Sequence, residues 1–184
     1  MKGVGVGLAL PRPVRGINAR GRQAVPLQIM KNPHKLLEHF PVNISLPLQW
    51  GEQDALGHVN NVVYFRWAET ARIAYLTQTN AWDGSAIVEA GPILAAIHCD
   101  FRFPLTYPDT IQVGAGITAI GNSSFKMAHR IVSAGRGIVA ADLDSTLVWI
   151  DYRSGKPVSV PAQLREAIEK LEGRHLPVLT RQRA

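Results

Sequence analysis

The sequence predicts an α+β domain: a curved antiparallel sheet of about five strands wrapped on one long central helix, followed by a short C-terminal helix. Three observations carry this. A single long run of helical periodicity lies near residues 62–79. A succession of period-two runs follows it, separated by turn signals and with few helical breaks. A final amphipathic run opens on Pro161 and stops at Gly173.

The first strand is expected over Val42 to Trp50, with Pro47 marking an edge or a bulge, because proline cannot donate to a ladder. A polar loop, Gly51 to Asn61, holds two glycines and the adjacent Asn60 and Asn61. Then Tyr64, Trp67, Ala68, Ala71 and Tyr75 recur at helical spacing on one face. Phe65, Leu76 and the Glu69/Arg72 pair occupy another face, so the helix should be enclosed by other structure. Ile93, Ala95, Ile97, Cys99, Phe101 and Phe103 alternate with Leu94, Ala96, His98, Asp100 and Arg102. The same period of two runs through Ile111, Val113, Ala115 and Ile117, and again through Phe125, Met127, His129 and Ile131. A last strand sets Val139, Ala141, Leu143, Leu147 and Trp149 against Asp142, Asp144 and Thr146. The final helix is amphipathic through Leu164, Ile168 and Leu171.

At 184 residues the chain suits one domain. The sequence divides into a flexible basic extension at 1–38, a folded domain at 39–175 and a tail at 176–184. The net charge of +6 is concentrated in the extension, where residues 1–29 hold five basic residues and no acidic one. The other 15 basic residues nearly balance the 14 acidic ones, which argues against a nucleic-acid partner. Residues 1–29 read as no secretory signal. An organelle-targeting segment and a start at Met30 are the two accounts left open for them. No run is long and apolar enough for a membrane span. A single cysteine, Cys99, excludes an internal disulfide and a cysteine-rich zinc site. The expected location is cytoplasmic, and no metal or cofactor is expected, since no metal-ligand spacing and no Ser-His-Asp arrangement presents itself.

The chemistry-bearing stretch is Asp54-Ala-Leu-Gly-His-Val-Asn-Asn61 with Val62-Val-Tyr-Phe-Arg-Trp-Ala-Glu-Thr-Ala-Arg72 behind it. This run resembles the signature of hotdog-fold acyl-CoA thioesterases of the 4-hydroxybenzoyl-CoA thioesterase type. Phe101-Arg-Phe-Pro-Leu, Tyr107-Pro-Asp-Thr110, Gly121-Asn-Ser-Ser-Phe125 and Asp151-Tyr-Arg-Ser-Gly-Lys-Pro157 extend the resemblance over about Phe40 to Glu172. It implies a hotdog fold, an acyl-CoA substrate with an acyl carrier protein as the other possible thioester donor, and a homodimer or homotetramer.

Thioester hydrolysis needs a base or nucleophile at the carbonyl carbon and a positive field at its oxygen. Asp54 lies just before a helix start near Asn61 to Tyr64, where unpaired N–H groups supply such a field. By residue type alone Asp54 is a loop or cap carboxylate. The resemblance makes it the catalytic carboxylate, as nucleophile or as general base. His58 resembles a histidine of the catalytic set in plant acyl-carrier-protein thioesterases, although Leu56 stands where their network has asparagine. A structural loop histidine is the competing account. Glu69 is the alternative carboxylate, since some hotdog thioesterases place theirs on the central helix. Arg72 three residues on favours an ion pair instead. Asn60 and Asn61 read first as loop and cap residues and second as substrate contacts. With Val62, Val63 and Tyr64 at the helix start, and Ser123 and Ser124, which resemble the turn bordering the acyl or pantetheine channel, they make up the candidate substrate contacts. His98 and His129 are expected to be ordinary sheet residues. A hotdog hydratase or dehydratase, and a non-catalytic acyl-CoA-binding protein, are the alternatives in function.

Overall fold

The computed structural model describes residues 33–81 and 89–179. The basic segment 1–29, Met30 and the last five residues of the tail lie outside the described residues. The described part begins with a helical turn, α1 (Pro33–Leu36), followed by a buried Leu37, so packing starts upstream of residue 39.

The expected α+β architecture is present. Strands β1 (Val42–Pro47), β2 (Ala90–Phe101), β3 (Thr110–Ile120), β4 (Ser124–Ser133) and β5 (Ile138–Asp151) form one antiparallel sheet in the order β1-β3-β4-β5-β2. A two-residue strand, β6 (Lys156–Pro157), adds to β5. The long helix α2 (Asn61–Gln78) lies against β3, β1 and β4. The short helix α3 (Ala162–Glu172) ends at Gly173, whose φ of 66° is the left-handed cap that glycine adopts without steric cost. Pro47 ends β1 on a sheet edge, where a missing N–H is tolerated.

Helix α2 forms because its apolar residues recur on the sheet side and because Asn60 caps it. The Asn60 side chain accepts the N–H of Val62 at 3.0 Å. All five residues of the predicted face, Tyr64, Trp67, Ala68, Ala71 and Tyr75, are buried. They meet Ile111, Val113, Ala115 and Ile117 of β3 and Phe125, Met127 and Ile131 of β4, all without solvent contact. Tyr75 is tied at the far end. Its hydroxyl donates to Oε1 of Glu172 at 2.8 Å, and that same oxygen accepts the N–H of Ile117 at 2.5 Å. Burial first, and then the Glu172 carboxylate beside it, push the Tyr75 phenol up from its ordinary value. The segment set apart as a tail packs along β3 as far as Leu179: Ile120 donates to Pro177 O at 3.1 Å, and Leu176 is buried.

Strand β2 departs from simple alternation. Leu94 pairs with Leu147 and Ala96 with Thr146, so Ala95 is the extra residue of a bulge. Beyond it Ile97, Cys99 and Phe101 share the inner face with Leu143 and Ala141, as the period of two requires. Before it the parity is reversed, so Leu94 takes the inner face and Ile93 turns outward. Strand β2 is also an edge, and Ile93, Leu94 and Phe101 are all exposed. No helix among the described residues is long and apolar enough to cross a membrane.

Candidate active site

The loop from Gln49 to Asn60 is built as a narrow turn that returns to the start of α2. A single 3₁₀ turn, Trp50–Glu52, follows β1. Gln53 and Val59 then face each other across an antiparallel bridge, and the N–H of Asn60 donates to Glu52 O at 2.9 Å. At the tip, Asp54 donates its N–H to His58 O at 2.8 Å, and Gly57 donates to Asp54 O at 3.0 Å. Gly57 has φ +77°, a conformation that side-chain-bearing residues rarely adopt, which is why the tip closes at this residue.

This turn fixes the Asp54 carboxylate. Oδ1 accepts the N–H of Leu56 at 2.8 Å, in the geometry of an Asx turn, and the N–H of His58 at 3.4 Å. Oδ2 has no protein donor among the described residues. The turn is braced from a second loop. The N–H of Val59 donates to Leu105 O at 2.9 Å, and the N–H of Tyr107 donates to Gln53 Oε1 at 3.0 Å. Trp50 and Tyr107 meet edge to face at 5.6 Å.

The N-terminus of α2 follows the turn, tied to it through the Asn60 N–H on Glu52 O. Asn60 Oδ1 takes the N–H of Val62, and Asn60 O takes that of Val63. The N–H of Asn61 has no acceptor among the described residues. An open cavity of about 300 Å³ lies here, lined by His58, Val59, Asn61, Tyr64 and the stretch Phe101–Pro104. Tyr64 is buried with its ring edge to face on Phe101 at 5.0 Å. Burial pushes its phenol up from the ordinary value. Arg102 at the rim is held by Asp142, its Nε 2.5 Å from Oδ2. The helix N-terminus and His58 line an apolar-walled opening, and the anchored Asp54 carboxylate lies in the same turn, hydrogen-bonded to His58. A carboxylate and a helix N-terminus are the two electrostatic parts that acyl transfer needs.

A family model described as the thioesterase-like superfamily matches residues 48–168, which begin upstream of the Asp54 loop and end within α3. The chain belongs to the thioesterase-like superfamily. It is similar to a Thermus thermophilus thioesterase solved with coenzyme A and Zn. The identity is 32%, with 76% of this chain and 99% of that one covered and a TM-score of 0.67. The PA5185 protein of Pseudomonas aeruginosa is 28% identical, over 73% of this chain and 94% of that one, with a TM-score of 0.66. In sequence, the long-chain acyl-CoA thioesterase FadM of Escherichia coli strain K12 is 25% identical over 118 residues, 64% of this chain and 89% of that one.

Within this superfamily member the expected site residues fall into three groups. Asp54, His58, Asn60, Asn61 and Tyr64 come together around the loop and the start of α2. Val62 is exposed beside them, whereas Val63 is buried in the core. Glu69 lies eight residues along α2 from Asn61, which at the helical rise of 1.5 Å per residue is about 12 Å from the N-terminus. Its ion pair with Arg72 is present at 3.1 Å, and Arg72 is the buried partner, 8% exposed against 61% for Glu69. Ser123 and Ser124 sit past the far end of β3. The opposite end of that strand adjoins the site, and the ten steps of about 3.3 Å from Thr110 to Ile120 span roughly 33 Å. Within one chain they do not reach Asp54.

Several residues at the site are not among the candidates, although Phe101 to Phe103 and Tyr107 lie in stretches that carry the resemblance. Phe101, Arg102 and Phe103 line the cavity, and Gln53 and Tyr107 brace the turn. Glu52 and Arg66 are joined by an ion pair. For Glu52 the one clue is the Gln49-x-x-Glu52 spacing, and the bond it implies from the Gln49 N–H to Glu52 Oε2 is present at 2.8 Å. His129 is an inner-face residue of β4, as its place in the period-two run implies, and is almost fully buried. Burial first, with the Arg72 guanidinium second, pushes it down to about 3.

Proposed function

We propose that this chain hydrolyses acyl-CoA thioesters to a free acid and CoA at the Asp54 loop. The observation that carries this is the placing of Asp54. Its Oδ1 is anchored by the N–H groups of Leu56 and His58. Among the described residues its Oδ2 is left free, and the unpaired N–H of Asn61, seven residues on, belongs to a residue that lines the opening beside His58. The thioester carbonyl oxygen would take the Asn61 N–H, at the positive end of the α2 dipole, where developing negative charge is favoured. Two routes then fit the geometry. As a general base, Asp54 takes a proton from water while the water oxygen bonds to the carbonyl carbon, and collapse of the oxyanion expels the CoA thiolate. As a nucleophile, Oδ2 bonds to that carbon, the thiolate leaves, and water cleaves the resulting mixed anhydride. His58, which lines the opening, orients the water or the thioester in this account.

FadM and the coenzyme A complex of the Thermus thermophilus relative support the substrate class. The working molecule would be a homodimer or a dimer of dimers in the cytoplasm. Its proposed contact is the exposed edge β2, which carries Ile93, Leu94 and Phe101. Antiparallel pairing of two β2 strands would bring the far end of one sheet toward the site of the other chain. That brings the Ser123–Ser124 turn within reach of a substrate, which one chain alone does not do.

A panel of acyl-CoAs with a thiol reagent tests the activity. Free thiol released by the wild type and not by Asp54→Asn supports hydrolysis, and absence of release from every acyl-CoA overturns it. Label in the Asp54 carboxylate after a single turnover in ¹⁸O water establishes the nucleophile route with water attacking the aspartyl carbonyl. Trapping of an acyl-enzyme by hydroxylamine detects that route when water attacks the acyl carbonyl instead.

A further inference from the structure

Glu52 lies two residues before Asp54 at the end of the 3₁₀ turn, and only 7% of it is exposed. A buried carboxylate calls for compensation, since desolvation of a lone charge costs several kcal/mol. Glu52 has two donors. Oε2 accepts the main-chain N–H of Gln49 at 2.8 Å, and Oε1 accepts Nη2 of Arg66 on the second turn of α2. Its own carbonyl accepts the N–H of Asn60, the cap of α2. One residue therefore joins the chain leaving β1, the helix cap and the helix body. Between those three ties lie Asp54 on one side and the free N–H of Asn61 on the other.

Neither member of the pair lines the cavity, and Arg66 is 60% exposed on the outer side of the helix. The pair is thus placed to hold the site without touching its contents. A hydrophobic side chain could fill the space that Glu52 takes, and such replacements often leave stability unchanged or raise it. What a hydrophobe lacks is direction. A carboxylate with one oxygen on Gln49 and the other on Arg66 fixes the turn in both position and rotation relative to α2.

We propose that the Glu52–Arg66 ion pair is a positioning device, setting the distance and angle between the Asp54 carboxylate and the Asn61 N–H. This rests on the thioesterase activity proposed above. A misplacement of about 1 Å between reacting groups costs on the order of 10²-fold in rate, so loosening the pair acts on turnover more than on binding.

The test compares Arg66→Met, Arg66→Lys, Glu52→Gln and the double variant Glu52→Gln/Arg66→Met with the wild type. The substrate is whichever acyl-CoA the wild type turns over best. Arg66 is exposed, so its variants should fold even if Glu52→Gln does not. Arg66→Met is expected to lower kcat by about 10–100-fold with KM changed less than about threefold. Arg66→Lys should recover most of the loss, because a lysine ammonium can still reach Oε1. The double variant should be no worse than the more damaging single one, as expected for two parts of one device. Amide hydrogen exchange at Asp54, His58 and Asn60 gives a readout independent of activity, and protection there should fall in Arg66→Met. Unchanged protection, or a kcat within about twofold of wild type in folded Arg66→Met, overturns the proposal and leaves the pair as a structural tie. If the wild type releases no thiol from any acyl-CoA, the proposed activity fails, and the exchange measurement still decides whether the pair holds the loop.

Discussion

The N–H of Leu56 donates to Oδ1 of Asp54 at 2.8 Å, so the candidate catalytic carboxylate is also the residue that closes its own turn. An asparagine side chain offers the same oxygen to the same donor. Asp54→Asn should therefore fold with a melting temperature within a few degrees of the wild type. It should lose about 10²–10⁴-fold in kcat, the usual cost of removing a positioned base. Near-normal turnover in the folded variant would end the assignment of Asp54.

Gly57 tests the same turn from the backbone. At φ +77° a side chain is strained, although an added Cβ meets nothing within 4 Å. Gly57→Ala should cost roughly 1–2 kcal/mol if the turn keeps its shape. If the turn relaxes instead, kcat falls while stability holds. Gly57→Asn, a residue that tolerates this region, should be milder on both counts. Urea unfolding together with kcat separates the two outcomes, and a Gly57→Ala protein unaltered in both would show that the turn does not depend on this conformation.

His129 makes stability depend on pH in a direction that follows from its burial. In the folded chain its ring is pushed down to about 3, against an ordinary 6.5 in the unfolded chain. Between those values the unfolded chain binds a proton that the folded chain does not. The stability His129 contributes is therefore full above about pH 6.5 and is lost progressively as pH falls toward 3. Neither ring nitrogen has a partner among the described residues, so His129→Leu sacrifices no hydrogen bond and should be close to neutral at pH 8. Melting curves from pH 8 to pH 4 should fall less steeply for the variant. Parallel curves would show that other groups set the acid limit.

Edge strand β2 should join two copies of this chain. Light scattering of the wild type at micromolar concentration should give at least a dimer mass. Ile93→Lys, which sets a charge on that edge, should shift the mass toward the monomer and lower activity with it. A wild-type monomer with full activity would exclude a site completed by a second chain.

Local periodicity makes most of the framework legible in the amino-acid sequence alone. The buried face of α2, the inner faces of β3 and β4, and the Gly173 cap all follow from spacings of two or 3.6 residues, which depend only on near neighbours in the chain. The Asp54 turn is legible for a similar reason, since its carboxylate, its glycine and its capping asparagine lie within seven residues of one another. Tertiary structure decided what local spacing cannot express. The bulge at Ala95 reversed which of Ile93 and Leu94 faces inward, because register belongs to the pairing with β5 and not to β2 alone. Arg72, and not Glu69, became the buried partner, because the sheet lies over one side of the helix and not the other. Glu52 and Arg66, fourteen residues apart, met only when the loop folded back on α2. Ser123 and Ser124 came to lie a full strand length from Asp54, because an antiparallel sheet sends alternate turns to opposite ends.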